Sequence, residues 1–169
     1  KVLTIGTGAQ SYISGNYIIK VGEPLGTFYG TKTDGILQKG EESIKGVFTG
    51  NAVPKAGDRL YKDIDGDGKF TTANDRTSIG NAQPDFIFGL TNTLSYSGFD
   101  LTFLLQGTIG NELLNINRQN LEMFTGQQNA STDALDRWTE ANPSQSYPRA
   151  KLDPAPIFSN QFVENGSFV

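Results

Sequence analysis

The stretch DFIFGLTNTLSYSGFDLTFLLQG, Asp85 to Gly107, constrains this chain more than any other. In its first half, Phe86, Phe88, Leu90, Leu94 and Tyr96 share one parity, with Asn92 as the exception. Ile87, Gly89, Thr91, Thr93 and Ser95 share the other. Successive side chains of a strand point to opposite faces, so the pattern predicts one greasy face and one polar face. Ser97-Gly98 fits a two-residue hairpin turn, and alternation resumes beyond it. Phe99, Leu101, Phe103 and Leu105 alternate with Asp100, Thr102, Leu104 and Gln106. A two-residue turn pairs Tyr96 with Phe99, Leu94 with Leu101 and Leu90 with Leu105. Paired residues point to the same side of a sheet, so the two greasy faces coincide and the pattern predicts a β-hairpin over 85–107.

Such a face suits two fold classes. A half-buried antiparallel pair in a soluble β protein shows it. So does a pair of transmembrane barrel strands, which take about 9–11 residues to cross a bilayer and set an apolar lipid face against a polar lumen face. Aromatic Phe86, Tyr96 and Phe99 at the strand ends suit an interfacial position. The alternation alone leaves both open.

Directly before the hairpin comes a loop of a different kind. DIDGDGKFTTAN sets Asp63, Asp65 and Asp67 at positions 1, 3 and 5 of an EF-hand-like loop, with Gly68 at the sharp turn. Lys69 offers its carbonyl at position 7, and Thr71 a hydroxyl or a bridging water at position 9. Position 12 is Asn74 rather than Glu, so Asp75 is the carboxylate able to close the cage after a one-residue adjustment. The segment 63–75 thus reads as a calcium-type loop with a structural ion, against the plainer alternative of a solvated Asp/Gly turn. No strong helices flank it, which argues against an ordinary EF-hand pair.

The rest of the chain reads as turn-rich β structure, with 20 glycines in 169 residues. YISGNYIIKV predicts two short strands around Gly15-Asn16, and GEPLGTFYGTKTDGIL predicts short extended pieces joined by tight turns. Residues 39–58 read as loop. The region 111–139 reads as helical: a helix over 111–125, with Leu114, Asn117 and Leu121 spaced 3 and 4 apart, Leu113 and Phe124 flanking them and Gly126 able to end it, then a short one over 132–139 capped by Thr132 with Leu135 and Trp138 as its apolar pair. From Asn142 on, four of the seven prolines predict irregular backbone.

Composition excludes several function classes. Cys and His are both absent, which removes thiol chemistry, the Ser-His triad and the commonest zinc ligands. The net charge is −4 and the 14 basic residues are scattered, so there is no nucleic-acid footprint. A carboxylate glycosidase finds no acid pair apart from the loop. The chain therefore reads as a non-enzyme. No stretch approaches the ~20 apolar residues of a membrane helix, and the first residues lack the pattern of a signal peptide.

Several stretches, taken as a set and in order, resemble the late barrel region of the SusC/RagA-type TonB-linked outer-membrane nutrient receptors. They are GNYIIKVGEPLGTFYGTKTDGI (15–36), the run 57–115 from GDRLYKDIDGDGKF to GTIGNELLN, then RWTEANPSQSYPRA and FVENGSF. The resemblance implies a mainly β fold: antiparallel strands from part of a transmembrane β-barrel, with long extracellular loops and one or two short helices. It implies a single C-terminal fragment, 1–169, of a longer receptor, since plug, TonB box and final strands are not among these residues. It further implies import of oligosaccharides or peptides across the outer membrane of a Gram-negative bacterium, driven by the TonB system with a SusD-type surface lipoprotein as lid. Asn74 departs from the acidic residue the resemblance expects. The competing expectation is a soluble, calcium-stabilised β-rich binding or adhesion module. Loop aromatics Phe28, Tyr29, Phe124 and Trp138 read as packing rather than ligand contacts.

Overall fold

The structure is a computed structural model that describes residues 1–41, 54–122, 129–151 and 157–169. Its contacts divide the chain into two units: 1–28 with 80–113 and 164–169, and 29–79 with 114–163.

In the first unit, β1 (Ser11–Ser14) and β2 (Tyr17–Lys20) form the hairpin expected around Gly15-Asn16, with Ser14 opposite Tyr17. β3 (Thr27–Gly30) starts here, antiparallel to β2 with Tyr17 opposite Phe28. Ile18 and Phe28 are the buried apolar residues of this unit among the described residues. Most of its remaining apolar surface lies on β7 (Phe86–Tyr96) and β8 (Phe99–Ile109).

That hairpin has the register the alternation predicts: Tyr96 opposite Phe99, Leu94 opposite Leu101, Leu90 opposite Leu105. Pairing runs two residues further than expected, to Phe86 opposite Ile109. Both turn residues are left-handed, Ser97 at φ 48° and Gly98 at φ 85°. That conformation makes the type I′ reversal, whose twist matches that of the strands. At the open end, Phe168 exchanges both backbone hydrogen bonds with Thr108 at 3.0 Å. The carbonyl of Phe168 also closes over Gly107, where the ring of Phe88 covers the space a side chain would need.

The second unit holds the larger core. β4 (Thr33–Ile36) pairs antiparallel with β5 (Arg59–Tyr61), and Ile36, Leu37, Leu60, Phe70, Ile79, Trp138 and Phe162 are buried. Trp138 packs against Gly57 and donates its indole N–H to Gln38 Oε1 at 3.1 Å. Arg149 grips Asp58 in a bidentate pair, Nε to Oδ1 at 2.8 Å and Nη2 to Oδ2 at 3.4 Å. β6 (Thr77–Asn81) runs from this unit into the first.

The region expected to be helical over 111–139 differs. Glu112–Leu114 is a strand, β9, paired with β10 (Val163–Asn165), so the helix α1 starts at Ile116; among the described residues it covers Ile116–Glu122, and 123–125 of the expected helix lie outside them. The reason is local and long-range at once. Asn115 caps the helix, its side-chain oxygen accepting the N–H of Arg118 at 2.8 Å. Its own N–H is taken by the carbonyl of Phe162. Leu113 and Leu114 therefore belong to the sheet, and Phe124 lies outside the described residues. The expected helix over 132–139 is a 3-10 turn, Thr132–Asp136. Ser131, not Thr132, precedes it, and its hydroxyl bonds Asp133 rather than backbone. With the turn ending at Asp136, Trp138 is buried while Leu135 is 79% exposed, so the two form no apolar pair. The loop expected over 39–58 lies mostly outside the described residues. Asn142 to Lys151 carry no regular element.

Candidate functional site

The aspartate loop leaves β5 and is anchored by an aromatic in its middle. Phe70 is buried and stacks on Tyr61 at 5.0 Å between ring centroids. The carboxylates of Asp63, Asp65 and Asp67 converge, one oxygen from each lying within 4.8 Å of the others, and all three residues are exposed. Each is oriented by loop backbone. Asp63 Oδ1 accepts the N–H of Gly66 and Oδ2 that of Gly68, at 2.6 and 2.8 Å. Asp65 Oδ1 accepts from Asp67 and Asp67 Oδ1 from Lys69. Gly68 adopts φ 79°, which lets its N–H turn inward to Asp63 without a Cβ penalty.

Asp75 is outside that converging set, although its carboxylate meets the side chain of Asp63. It is fully buried, with Oδ1 accepting the N–H groups of Ile64 (2.6 Å) and Asp65 (3.4 Å) and Oδ2 that of Thr71 (2.6 Å). Burial pushes its pKa up, but the backbone donors of Thr71, Ile64 and Asp65 outweigh burial and leave it below the ordinary value. Asp75 fastens the two ends of the loop together. Thr71 turns its hydroxyl to the N–H of Asn74 at 3.1 Å. The donor set fits a hard cation: the converging atoms are carboxylate oxygens, and each carboxylate keeps lone pairs beyond those used by backbone. Asp63, Asp65 and Asp67 would hold such an ion, with Lys69 and Thr71 following them in the loop.

The hairpin is the other candidate. Its greasy face is bare: Leu90 is 53%, Leu101 58% and Phe103 45% exposed. On the opposite face Thr93 and Thr102 share a hydrogen bond between hydroxyls at 3.2 Å. An isolated two-stranded hairpin is marginal in water, so this surface needs an apolar environment that the described residues do not provide. Eleven paired residues at about 3.4 Å each, tilted by about 40°, rise about 26 Å, the height of the apolar band of an outer-membrane barrel. No described helix is long and apolar enough to cross a membrane.

Of the other aromatics named from the sequence, Phe28 and Trp138 are buried, and Tyr29 carries the guanidinium of Arg76 over its ring at 4.7 Å. Phe70 escaped the sequence reading. Its signal was an aromatic side chain alone in a polar loop.

No protein-family model matches the sequence. Curated relatives do. The chain is 35% identical to TonB-dependent receptor P3 of Formosa agariphila over 152 residues, 90% of this chain and 15% of that protein. It is 36% identical to TonB-dependent receptor P26 of the same organism over 159 residues, 92% of this chain and 16% of that protein. TonB-dependent receptor P39 is 29% identical over 136 residues, 62% of this chain and 13% of its own length. The chain thus spans only 13–16% of the length of the curated relatives it matches. A mainly antiparallel β fold, joined to relatives of one kind aligned over most of its length, makes this chain a segment of a TonB-dependent receptor.

Proposed function

We propose that this chain supplies wall strands and extracellular loops to an outer-membrane importer of the SusC/RagA type in a Gram-negative bacterium. β7 and β8 cross the bilayer with Phe88, Leu90, Leu101 and Phe103 toward lipid, and Thr91, Thr93 and Thr102 toward the lumen. The tight Ser97-Gly98 turn lies on the periplasmic side and the long segments on the outside. The cargo is an oligosaccharide or a peptide, taken up by the TonB system beneath a SusD-type lipoprotein lid. The loop 63–75 takes a structural calcium ion that stiffens an extracellular excursion without a core of its own.

The observation that carries this reading is the exposed greasy face of an in-register hairpin of membrane-spanning length. The chain contains no cysteine, so single cysteines placed in it give clean reporters. In the full-length receptor, freed of other cysteines and reconstituted in vesicles, a fluorophore at position 94, 101 or 103 should be quenched by brominated acyl chains. A fluorophore at 93 or 102 should not. Equal quenching on both faces, or a full-length receptor that stays monodisperse without detergent, overturns the reading in favour of a soluble module. Loss of uptake of one ligand class on receptor deletion identifies the cargo.

A further inference from the structure

The outer edge of β8 is open for most of its length. Phe168 takes both backbone groups of Thr108 on the side away from β7. Alternate residues of a strand present their N–H and C=O to the same side, so Gln106, Leu104, Thr102 and Asp100 present theirs to that edge too. No described residue takes them. A row of unpaired donors and acceptors is a template for another strand. At membrane depth there is no water to bond them instead, so such an edge does not stay open.

The segment that contains Phe168 reaches this edge already paired. β10 lies against β9, the Gly166 N–H donates to the Asn111 carbonyl at 2.9 Å, and Phe168 then meets Thr108. The last two contacts differ in register by one residue, since Thr108 and Asn111 are three apart while Gly166 and Phe168 are two apart. Gly110 and Asn111 thus stand together against Gly166, a β-bulge with its glycine left-handed at φ 89°. Side chains hold it. The Ser167 hydroxyl accepts the Gly110 N–H at 3.1 Å, Asn111 Nδ2 donates to the Gly166 carbonyl at 3.2 Å, and Thr108 Oγ1 donates to Asn111 Oδ1 at 3.1 Å. A Cβ at Gly110 would run into the carboxylate of Asp85. The offset matters because a slip of one residue turns every following side chain to the other face. With the bulge, Phe168 joins Thr108 on the polar face and Val169 falls opposite Gly107 on the greasy one. Without it, Val169 would stand opposite Thr108.

We propose that the open edge of β8 receives the chain that follows Val169 in the full-length receptor, as an antiparallel strand running toward the Ser97-Gly98 turn, and that the Gly110 bulge sets the register of that strand. The occupant follows from continuity: the pairing has already begun at Thr108, and this chain spans only 13–16% of its curated relatives. The second, fourth and sixth residues after Val169 then stand opposite Leu105, Phe103 and Leu101 on the greasy face. The first, third and fifth stand opposite Gln106, Leu104 and Thr102. That the greasy face meets lipid rests on the membrane-wall reading; the register does not.

The test is cysteine cross-linking in the full-length receptor, freed of other cysteines and held in vesicles, with copper phenanthroline as oxidant. On this edge Leu105 falls at a non-hydrogen-bonded position, where facing Cα atoms are about 4.5 Å apart, within the span of a disulfide. Leu105→Cys should therefore bond a cysteine placed at the second residue after Val169 and not one placed at the third. Gly110→Val puts a branched side chain on a left-handed backbone and should move the bond toward the third residue. Should that variant fail to fold, Ser167→Ala, which removes the acceptor of the Gly110 N–H, should move the bond the same way to a smaller extent. A bond at the third residue in the receptor with Gly110 intact, no bond at either position, or a receptor whose chain ends at Val169 overturns the proposal. A bond unmoved in both variants overturns the role of the bulge. Either failure, with lipid quenching still confined to one face of the ribbon, leaves the membrane-wall reading standing. Quenching on both faces with the bond at the second residue removes the wall reading alone.

Discussion

Phe103→Arg puts the membrane-wall reading to a quantitative test. Phe103 lies four residues along β8 from Phe99 at the turn. At about 3.4 Å per residue and a tilt of about 40°, that is about 10 Å of depth in a band about 26 Å tall, within about 3 Å of the midplane. An arginine on the lipid face there costs about 2–4 kcal/mol, and at Phe99, near the interface, about 0–1 kcal/mol. Thr102→Arg lies one residue away at nearly the same depth but on the hydroxyl-bonded face, where a lumen offers water, and should cost little. The two adjacent variants should therefore differ by about 2 kcal/mol, a ~30-fold change in the folding equilibrium. The assay is guanidinium unfolding of the full-length receptor from lipid vesicles, with the folded fraction read by heat-modifiable gel mobility. Equal losses at 102 and 103 would refute the reasoning. So would a loss at Phe99 as large as that at Phe103, because a dry protein core has no depth profile.

Other outcomes follow from particular atoms. Asn92 is the polar exception on the greasy face, opposite Phe103, and Asn92→Leu should stabilise the vesicle-inserted receptor by about 1 kcal/mol through removal of an amide from hydrocarbon. Asp75→Ala leaves three backbone N–H groups without their acceptor, and should speed proteolysis between Tyr61 and Thr77 with a local loss of about 2–3 kcal/mol seen by hydrogen exchange. Since the folded pKa of Asp75 is depressed, its contribution is present above the unfolded value near 3.8 and is lost as pH falls through the lower folded value. Loop exchange should accordingly stay flat from pH 7 to 5 and rise only in stronger acid. Terbium luminescence sensitised by Tyr61 should report cation binding, be displaced by calcium and be lost in Asp65→Asn; proteolysis of the loop unchanged by chelator would count against the ion. Gly107→Val drives a side chain into the Phe88 ring and the Phe168 carbonyl, and should loosen the Thr108–Phe168 pairing, seen as faster exchange of those two amides.

The hairpin was legible because its information is local. A period of two, a two-residue turn and matching faces determine eleven pairs without reference to anything else in the chain. The three converging aspartates were legible for the same reason. Their spacing places the carboxylates, and the glycines between them free the backbone to point inward. Two other features were hidden. Leu113 and Leu114 have helical spacing with Leu121, yet they pair with β10 about fifty residues later, and no local pattern carries that partner. The role of Asp75 was hidden as well, because its acceptors serve backbone N–H groups at both ends of the loop, a closure visible only in three dimensions.

The two-residue reversal at Ser97 and Gly98 has a consequence for where the chain can vary. Both flanking segments, at Asp85 and at Gly110, leave from the opposite end of the ribbon, where the Asp85 amide bonds the Ile109 carbonyl. That tip of the ribbon is therefore trimmed to two small residues, while the backbone on either side continues from the other end. Sequence change in the segments beyond Asp85 and Gly110 can accumulate while the eleven pairs of the ribbon go untouched.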